Sequence, residues 1–552
     1  MREAGVKICK KPSWLRRLAL GLAALVLVKV PLADAAEWQW SVPFETGRVF
    51  LWVPPACHRL RALVFAQNNM IEQGILEHAK FRAEMAQFCM AEVFAAPPYE
   101  TWQDAAHNPQ ANHIFDGVLA ALAEKSGYDE LTRIPVAPLG HSAWATFPWN
   151  FAAWNPERTL AILSVHGDAP QTNMTGNGQS NADWGARSID GIPGVMVMGE
   201  YEWLEQRLAP AQAFRAAHPN AAIAMLAEPG SGHFNYSDPL VEFLALFLKK
   251  AVQYRLPDDG AGAMQPIDPR KGWLVQRWTP GQQRSVPSAP YDLYTGDKSQ
   301  AFWAFDAQTA RAIETFNANQ IGKKPQLLGY VDHGQLLPQT EAQQQVDIPF
   351  HPLADGVTFK LSGGFLDSVP VVSKRLSRWA GLPAGAPLGH ARAGGPIVLS
   401  KIGGPVEQIS PDTFRVQYDL INATEDRRRF DIWLLASHPG DSVYKSAVQQ
   451  ALLQLPKFQD GADQTITFDP IADVAVGVKT VALHATASSG RKVRFYVLEG
   501  PAVVDDARLR ITPIPVRAKK PIAVTVVAWL LGQAKTYKSA APVARTFYLR
   551  DR

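Results

Sequence analysis

Short apolar runs alternate with longer amphipathic stretches between about residues 47 and 255. This rhythm is typical of strands that cross over through helices, because each helix covers one face of a parallel sheet. The pattern therefore predicts a doubly wound, mostly parallel α/β domain that closes with an amphipathic helix at 239–254. The predicted strands span residues 49–53, 63–66, 92–95, 134–139, 160–165, 195–198 and 222–226.

The pattern changes after residue 257, where Pro, Gly, Asp and Gln accumulate. We interpret this change as a domain boundary, with the α/β domain at 36–257 and a linker and mixed, β-rich segment at 258–394. From 395 to 552 short strand-like runs recur between turns, at a density typical of a β-sandwich. We expect this C-terminal domain to be immunoglobulin-like, with an inserted helix at 444–455.

The first 35 residues have the organisation of a cleavable signal peptide, with basic residues, an apolar run at 18–28 and small residues around Asp34. The apolar run is too short for a retained membrane span of about 20 residues, so we expect a secreted or periplasmic chain without one. Residues 1–35 carry a net charge of +5 (seven Lys or Arg against two Asp or Glu) and the whole chain +4, so the rest is near −1. This balance gives no argument for a nucleic-acid partner.

Two cysteines, Cys57 and Cys89, remain once the signal peptide is removed. Cys57 precedes a predicted strand and Cys89 follows the helical stretch after that strand, so both belong at one edge of the parallel sheet. An exported protein can keep a disulfide, because its compartment is oxidising. The sequence leaves a disulfide and two separately buried thiols as alternatives, since geometry decides between them.

Candidate chemistry follows the predicted strands, because ligands of an open α/β sheet bind beyond the carboxyl ends of its strands. After the strand at 134–139 comes Gly140-His141-Ser142-Ala143-Trp144, and then a predicted helix. A serine on such a tight turn is exposed, and the amino end of the following helix directs N–H groups at a developing oxyanion. Gly140 fits because the turn brings backbones too close for a side chain.

Two acids and a histidine follow the last two predicted strands of this domain. Gly199-Glu200-Tyr201-Glu202 comes after 195–198, and Gly230-Ser231-Gly232-His233-Phe234 comes after 222–226. With the serine turn, these motifs resemble the α/β-hydrolase superfamily, and in particular secreted bacterial serine esterases. The resemblance implies that Ser142 attacks an acyl carbon, that His233 takes and returns its proton, and that a carboxylate orients the imidazole, without a cofactor.

The identity of the acid is left open by the sequence. The family pattern places it three residues after the glycine, which favours Glu202, with Glu200 as the alternative and Asp168, after the preceding strand, as a third position. The resemblance also implies an oxyanion hole. We expect it to combine the N–H of Ala143 with one from the loop after 63–66, where Asn68 or Asn69 would supply it.

Tryptophans near the serine are candidates for substrate binding, because aromatic faces stack on sugars or aromatic acyl groups, although they also pack readily as core. We name Trp144 and Trp184, the second of which lies in a long loop at 167–191 that we expect to face the substrate. The sequence has no metal-ligand spacing and no phosphate-binding glycine loop.

The expected function is that of a secreted carboxylic ester hydrolase acting through an acyl-enzyme on a small-molecule ester or an acylated polysaccharide. The alternatives are a serine peptidase of the same fold and a non-catalytic binding protein on a hydrolase scaffold.

Overall fold

The structure is a computed structural model, and it describes residues 37–551 apart from 100–107, 109, 176–181, 258–262, 317, 341–344 and 373. The predicted signal peptide at 1–35 lies outside the described residues, and so does the middle of the predicted substrate-facing loop. Within the described ranges, no helix combines the length and the hydrophobicity that crossing a bilayer requires.

Eight strands of the N-terminal half form one sheet. They are β1 (Trp40–Phe44), β2 (Gly47–Trp52), β3 (Ala62–Gln67), β4 (Met90–Ala96), β5 (Val136–His141), β6 (Ile162–Val165), β7 (Pro193–Gly199) and β8 (Ala222–Glu228). Their order is β1-β2-β4-β3-β5-β6-β7-β8. β1, β2 and β4 pair antiparallel, and the remaining pairs are parallel. Strands β3 to β8 are buried along their whole length, which explains their continuous apolar sequence. This confirms the predicted, mostly parallel sheet.

Helices cover both faces of this sheet. They are α1 (Glu72–Leu76), α2 (Ala79–Gln87), α3 (Ala111–Ser126), α4 (Phe147–Trp154), α5 (Glu205–Ala217) and α6 (Asp238–Arg255). Helix α6 begins at a cap in which the Ser237 side chain accepts the N–H of Leu240, and it packs Leu244 and Leu248 on one face. Helix α3 packs Phe115 and Leu119 on the other face. Neighbouring residues of each strand therefore contribute to opposite cores.

The segment after α6 packs onto the same sheet. It contains β9 (Trp273–Gln276), β10 (Ala289–Pro290), β11 (Ala301–Ala304) and helix α7 (Ala307–Thr315). Val275, Trp303 and Ile313 belong to the apolar cluster that holds Phe247 of α6. The boundary expected at residue 257 therefore does not separate two cores.

The rest of the chain is β-rich, as expected. Its first strands are β12 (Leu328–Asp332), β13 (Gln335–Leu336), β14 (Val346–Asp347), β15 (Thr358–Lys360), β16 (Ser362–Phe365), β17 (Val398–Gly403), β18 (Val406–Ser410), β19 (Thr413–Val416), β20 (Asp431–His438) and β21 (Ala447–Gln454), with helix α8 (Lys374–Ala380) between β16 and β17. The last strands are β22 (Ile466–Phe468), β23 (Val474–Ala475), β24 (Thr480–Ala482), β25 (Ala485–Ala487), β26 (Arg494–Glu499), β27 (Ala502–Asp505), β28 (Arg508–Ile511), β29 (Ile522–Trp529) and β30 (Val543–Arg550).

These strands surround two apolar cores rather than the single sandwich expected at 395–552. Sheets β14-β21-β20-β17 and β15-β19-β18 enclose the first core, which includes Phe414 and Leu434. Sheets β23-β30-β29-β26 and β24-β28-β27 enclose the second, which includes Leu509 and Val524. The sequence pattern locates strands but does not show which strands share a core. The immunoglobulin-like topology stays a prediction.

The helix expected at 444–455 is wrong, because this segment forms strand β21. Ala, Gln and Leu favour helices, but burial of the alternating residues Ala447, Gln449, Ala451 and Leu453 outweighs that preference.

Cys57 and Cys89 are joined by a disulfide with Cα atoms 5.5 Å apart. Cys57 lies between β2 and β3, and Cys89 directly precedes β4. The disulfide therefore connects the starts of two neighbouring parallel strands. Of the two alternatives that the sequence left open, the structure contains the disulfide and not two separate thiols.

Candidate active site

Ser142 occupies a sharp turn between β5 and α4. Its φ is 57°, in the left-handed region that side chains rarely adopt, and a short 3-10 turn over Ser142–Trp144 follows. A Cβ at Gly140 would lie 2.1 Å from the carbonyl oxygen of Trp144, so only glycine fits there. These features match the strained strand-to-helix turn that raises a nucleophile above a sheet.

Ser142, His233 and Glu202 form a continuous series of short contacts. The Ser142 Oγ lies 2.6 Å from the His233 Nε2, and the His233 Nδ1 lies 2.5 Å from the Glu202 Oε2. The loops that carry His233 and Glu202 touch at Gly199, where a Cβ would lie 2.5 Å from the Gly232 carbonyl oxygen. The structure thus brings together three residues that are far apart in sequence.

The two other acids face different partners. Glu200 accepts the N–H of Gly230 at 2.8 Å and pairs with the ammonium of Lys445 at 3.0 Å. Asp168 lies 3.2 Å from the Arg207 guanidinium. The contact with the His233 ring therefore belongs to Glu202, the acid that the spacing favours.

A buried group of charges surrounds Glu202. Arg207, from the first turns of α5, donates to the Glu202 Oε2 at 2.7 Å, and the His166 Nδ1 lies 2.6 Å from the Glu202 Oε1. The other ring nitrogen of His166 lies 3.3 Å from a carboxylate oxygen of Glu228. All four side chains are almost inaccessible to solvent. The arrangement fixes both oxygens of Glu202.

These contacts set the protonation states of the site. Burial alone would raise the pKa of Glu202, but Arg207, His233 and His166 hold it well below its usual value. Burial would lower the pKa of His166, but Glu202 and Glu228 raise it to about 9. Burial lowers the pKa of His233 despite the neighbouring Glu202. At neutral pH the site therefore contains an ionised acid, a cationic His166 and a neutral His233 that can accept a proton.

The loop after β3 differs from the expectation for an oxyanion hole. The backbone N–H of Asn68 donates to the Ala95 carbonyl at 2.8 Å, in continuation of the β3–β4 ladder. The N–H of Asn69 donates to Glu72 at 3.1 Å. Neither N–H is directed at Ser142, which corrects the prediction for Asn68 and Asn69. Ala143 begins the turn after Ser142, and its role stays a prediction.

Glu72 holds the backbone behind the serine. It is fully buried and accepts the N–H groups of Asn69, Met70 and His141 at 2.8 to 3.1 Å. Burial raises its pKa to about 7 against the effect of these hydrogen bonds. One carboxylate therefore connects the loop after β3 to the end of β5.

The two predicted substrate-binding tryptophans have different environments. Trp144 is half-buried beside Ser142. Trp184 is 1% exposed, donates to Asn150 at 3.0 Å and packs edge-on against Phe214. The expectation for Trp184 is therefore wrong, because its ring is part of a core.

A small cleft lies beside His233, between the two halves of the chain. The Gln450 Oε1 on β21 accepts the N–H of Phe234 at 3.2 Å, and Trp433 on β20 stacks on the Phe234 ring. The C-terminal half therefore both supports the loop of His233 and forms one wall of the cleft. The lining residues are Tyr201, Glu202, Gly232 and His233 from the N-terminal half, and Arg375, Leu376, Val448, Gln449 and Gln450 from the C-terminal half.

His166, Glu202 and His233 are also close enough to one another to ligate a metal ion. However, the guanidinium of Arg207 already occupies the Glu202 Oε2 and would repel a cation. The donor set therefore fits a proton-transfer site better than a metal site.

Sequence reasoning missed His166 and Arg207. His166 directly precedes Gly167 and Asp168 after β6, so its position at the carboxyl edge of the sheet was a usable signal. Arg207 gave no signal, because an arginine in an amphipathic helix is usually solvated.

No protein-family model matches the sequence, and no curated protein matches it. Similar solved structures include Est1E from Butyrivibrio proteoclasticus, which is 14% identical over 39% of this chain and 100% of that chain (TM-score 0.27). An S-formylglutathione hydrolase from Agrobacterium tumefaciens is 16% identical over 39% of this chain and 92% of that chain (TM-score 0.29). A soluble variant of monoglyceride lipase from Saccharomyces cerevisiae is 11% identical over 40% of this chain and 98% of that chain (TM-score 0.27).

These similarities are too weak to carry an inference about activity, so the class rests on the chain itself. Residues 37–255 have the strand order of an α/β hydrolase, with Ser142, Glu202 and His233 after β5, β7 and β8 respectively. The N-terminal half therefore has the α/β-hydrolase fold, as the resemblance of its motifs implied.

Proposed function

We propose that this chain is a secreted serine esterase that hydrolyses a carboxylic ester through an acyl-enzyme. The observation that supports this most is the line of contacts from Ser142 through His233 to Glu202 at the carboxyl edge of the sheet. Each group lies within hydrogen-bond reach of the next, as proton transfer from a nucleophile requires.

The proposed reaction begins when the Ser142 Oγ attacks the carbonyl carbon and its proton moves to the His233 Nε2. Glu202 stabilises the imidazolium through the Nδ1 proton, while His166 and Arg207 keep Glu202 ionised. The imidazolium then gives its proton to the leaving alcohol. Water hydrolyses the acyl-enzyme by the same steps in reverse, with the N–H of Ala143 as the proposed oxyanion donor.

The lining of the cleft favours a polar substrate. Arg375 contributes a guanidinium to the cleft beside His233, and guanidinium groups bind hydroxyls and carboxylates. We therefore favour an acylated polysaccharide as substrate, with Trp144 as a proposed contact to a sugar ring. The signal-peptide pattern and the Cys57–Cys89 disulfide support secretion.

The test is a panel of p-nitrophenyl esters, acetylated polysaccharides and peptide anilides. We expect the wild type to release acyl groups from esters, and Ser142→Ala to reduce kcat by roughly 10⁴-fold or more. Ser442→Ala, which alters an exposed serine elsewhere, is the matched control and should retain full activity.

Three results would oppose the proposal. Undiminished ester hydrolysis by Ser142→Ala would exclude Ser142 as the nucleophile. Cleavage of anilides without ester turnover would favour the serine peptidase. Failure of every substrate, together with no labelling by a fluorophosphonate, would favour a non-catalytic binding protein.

A further inference from the structure

A second cluster of histidine and carboxylate side chains lies in the C-terminal half. Asp332 ends β12, His333 begins the turn to β13, and His351 follows β14. The Nδ1 atoms of His333 and His351 each lie 2.8 Å from a different carboxylate oxygen of Asp332. One ligand atom from each of the three residues lies within 4.8 Å of the other two. Two chain segments thus bring three metal-type ligands to one point.

The hairpin turn fixes the first histidine. His333 has a φ of 48° and Gly334 a φ of 79°, so the turn has two successive left-handed residues. Asn and Asp are the usual first residues of such two-residue turns. The turn therefore places His333 next to Asp332, which pairs with Gln335 across the hairpin.

The backbone around the second histidine is also restrained. Pro349 and Pro352 flank the pair Phe350–His351, and proline limits the conformations of the residue before it. Phe350 packs edge-on against Phe359 with ring centroids 5.9 Å apart. The ligands are thus presented by ordered backbone, which reduces the entropy lost on binding an ion.

The donors suit a borderline divalent metal. Two imidazole nitrogens and one carboxylate oxygen are ligands that Zn²⁺ accepts. In a tetrahedral Zn²⁺ site with bonds of about 2.1 Å, neighbouring ligand atoms lie roughly 3.4 Å apart. The donor spacing therefore needs only small side-chain rotations. The imidazole side chains are 74% and 54% exposed, which leaves further coordination positions open to water.

We propose that Asp332, His333 and His351 bind one Zn²⁺ ion, with water completing the coordination. Each imidazole binds through Nδ1 and keeps its proton on Nε2, so binding replaces the two hydrogen bonds to Asp332 by metal bonds. The ion connects the β12–β13 hairpin to the segment after β14. This site is independent of the proposed esterase activity.

The test is isothermal titration of ZnCl₂ into the full chain, purified without a histidine tag. His351→Gln removes one ligand, and His333→Asn removes another with a residue that suits the left-handed turn. His484→Gln, which alters an exposed histidine between β24 and β25, is the matched control. All variants also carry His233→Gln, so that the cluster at Glu202 does not contribute.

We expect one Zn²⁺ per chain with a dissociation constant in the micromolar range, weakened at least tenfold by His351→Gln and by His333→Asn but unchanged by His484→Gln. Zn²⁺ should raise the melting temperature of the control but not of the two ligand variants. If His351→Gln does not fold, His333→Asn carries the test. Absence of saturable binding, or equal affinity in the control and the ligand variants, would overturn the proposal.

Discussion

At the scale of single residues, the unusual feature is that two charged side chains, in addition to His233, contact the proposed acid. Glu202 contacts His233, His166 and Arg207, and all four side chains are largely removed from water. A buried carboxylate without such partners would become protonated and could not stabilise an imidazolium. His166 and Arg207 are therefore positioning residues that act on His233 through Glu202.

The first residue-scale prediction concerns the pH dependence of the wild type. The pKa of His233 is depressed by burial below 6.5, so its neutral form, which accepts the serine proton, persists to lower pH. Activity is then present above this pKa and lost as the pH falls through it. The measurement is kcat/KM on a non-ionising ester as a function of pH. We expect kcat/KM to fall on the acid side only below pH 6.5. A fall that begins above pH 6.5 would contradict the assignment of His233 as the base.

The second residue-scale prediction is that His166→Gln lowers kcat/KM by about ten- to a hundredfold. The substitution removes the charged hydrogen bond to Glu202, and such a bond contributes ~1.5–3 kcal/mol. The cation at His166 opposes protonation of His233, so its removal should move the acid limb to higher pH. His484→Gln is the control. A purely structural role would lower stability but leave the pH profile in place.

At the scale of elements, the turn between β5 and α4 depends on close backbone approach. We predict that Gly140→Ala lowers the free energy of unfolding by about 2 kcal/mol and abolishes ester hydrolysis, because its Cβ would meet the Trp144 carbonyl. Gly117→Ala, in α3 with open space around it, should instead stabilise by about 0.5–1 kcal/mol. Urea denaturation measures both, and equal effects would contradict this account.

The elements also show what the sequence could and could not predict. Strands β2 to β8 were predictable because parallel strands buried on both faces appear as apolar runs. Strand β1 was missed, since Trp40–Phe44 lies at the sheet edge and contains serine and proline. Pro148, inside a predicted helix, falls in the first turn of α4, where proline is tolerated.

The candidate site followed the same division. The positions of Ser142 and His233 at the carboxyl edge of the sheet were predictable because each follows a predicted strand of that sheet. The pairing of the charges around Glu202 was not predictable, because it depends on contacts between residues that are far apart in the chain. The contribution of β21 to the cleft was not predictable from the sequence either, since Gln449 and Gln450 lie in a segment whose composition favours a helix.

At the scale of the whole molecule, buried polar contacts join the two halves. Glu499 at the end of β26 accepts the N–H of Ser41 at 2.9 Å and pairs with Lys125 at 2.7 Å. Arg517, which precedes β29, also pairs with Glu130 at 3.1 Å. The sheets around the second C-terminal core are therefore anchored directly on the N-terminal half.

We predict that Glu499→Ala lowers the free energy of unfolding by about 2 kcal/mol, because it removes the acceptor of the Ser41 N–H and the ion-pair partner of Lys125, which keeps only its hydrogen bond to the Ser41 carbonyl. Hydrolysis of a small ester should not change, since Glu499 lies outside the proposed machinery. Glu425→Ala, at an exposed glutamate, should stay within about 0.5 kcal/mol of the wild type. Equal stability of the two variants in urea would argue against an interface supported by Glu499.

If Ser142 is a nucleophile activated by His233, a reagent that reacts with such serines should form a covalent adduct at this position. The native protein is treated with a fluorophosphonate, digested and analysed by peptide mass spectrometry. We expect one adduct, on Ser142, which His233→Gln and prior denaturation both prevent. An adduct on a different serine, or equal labelling of the native and denatured chains, would contradict it.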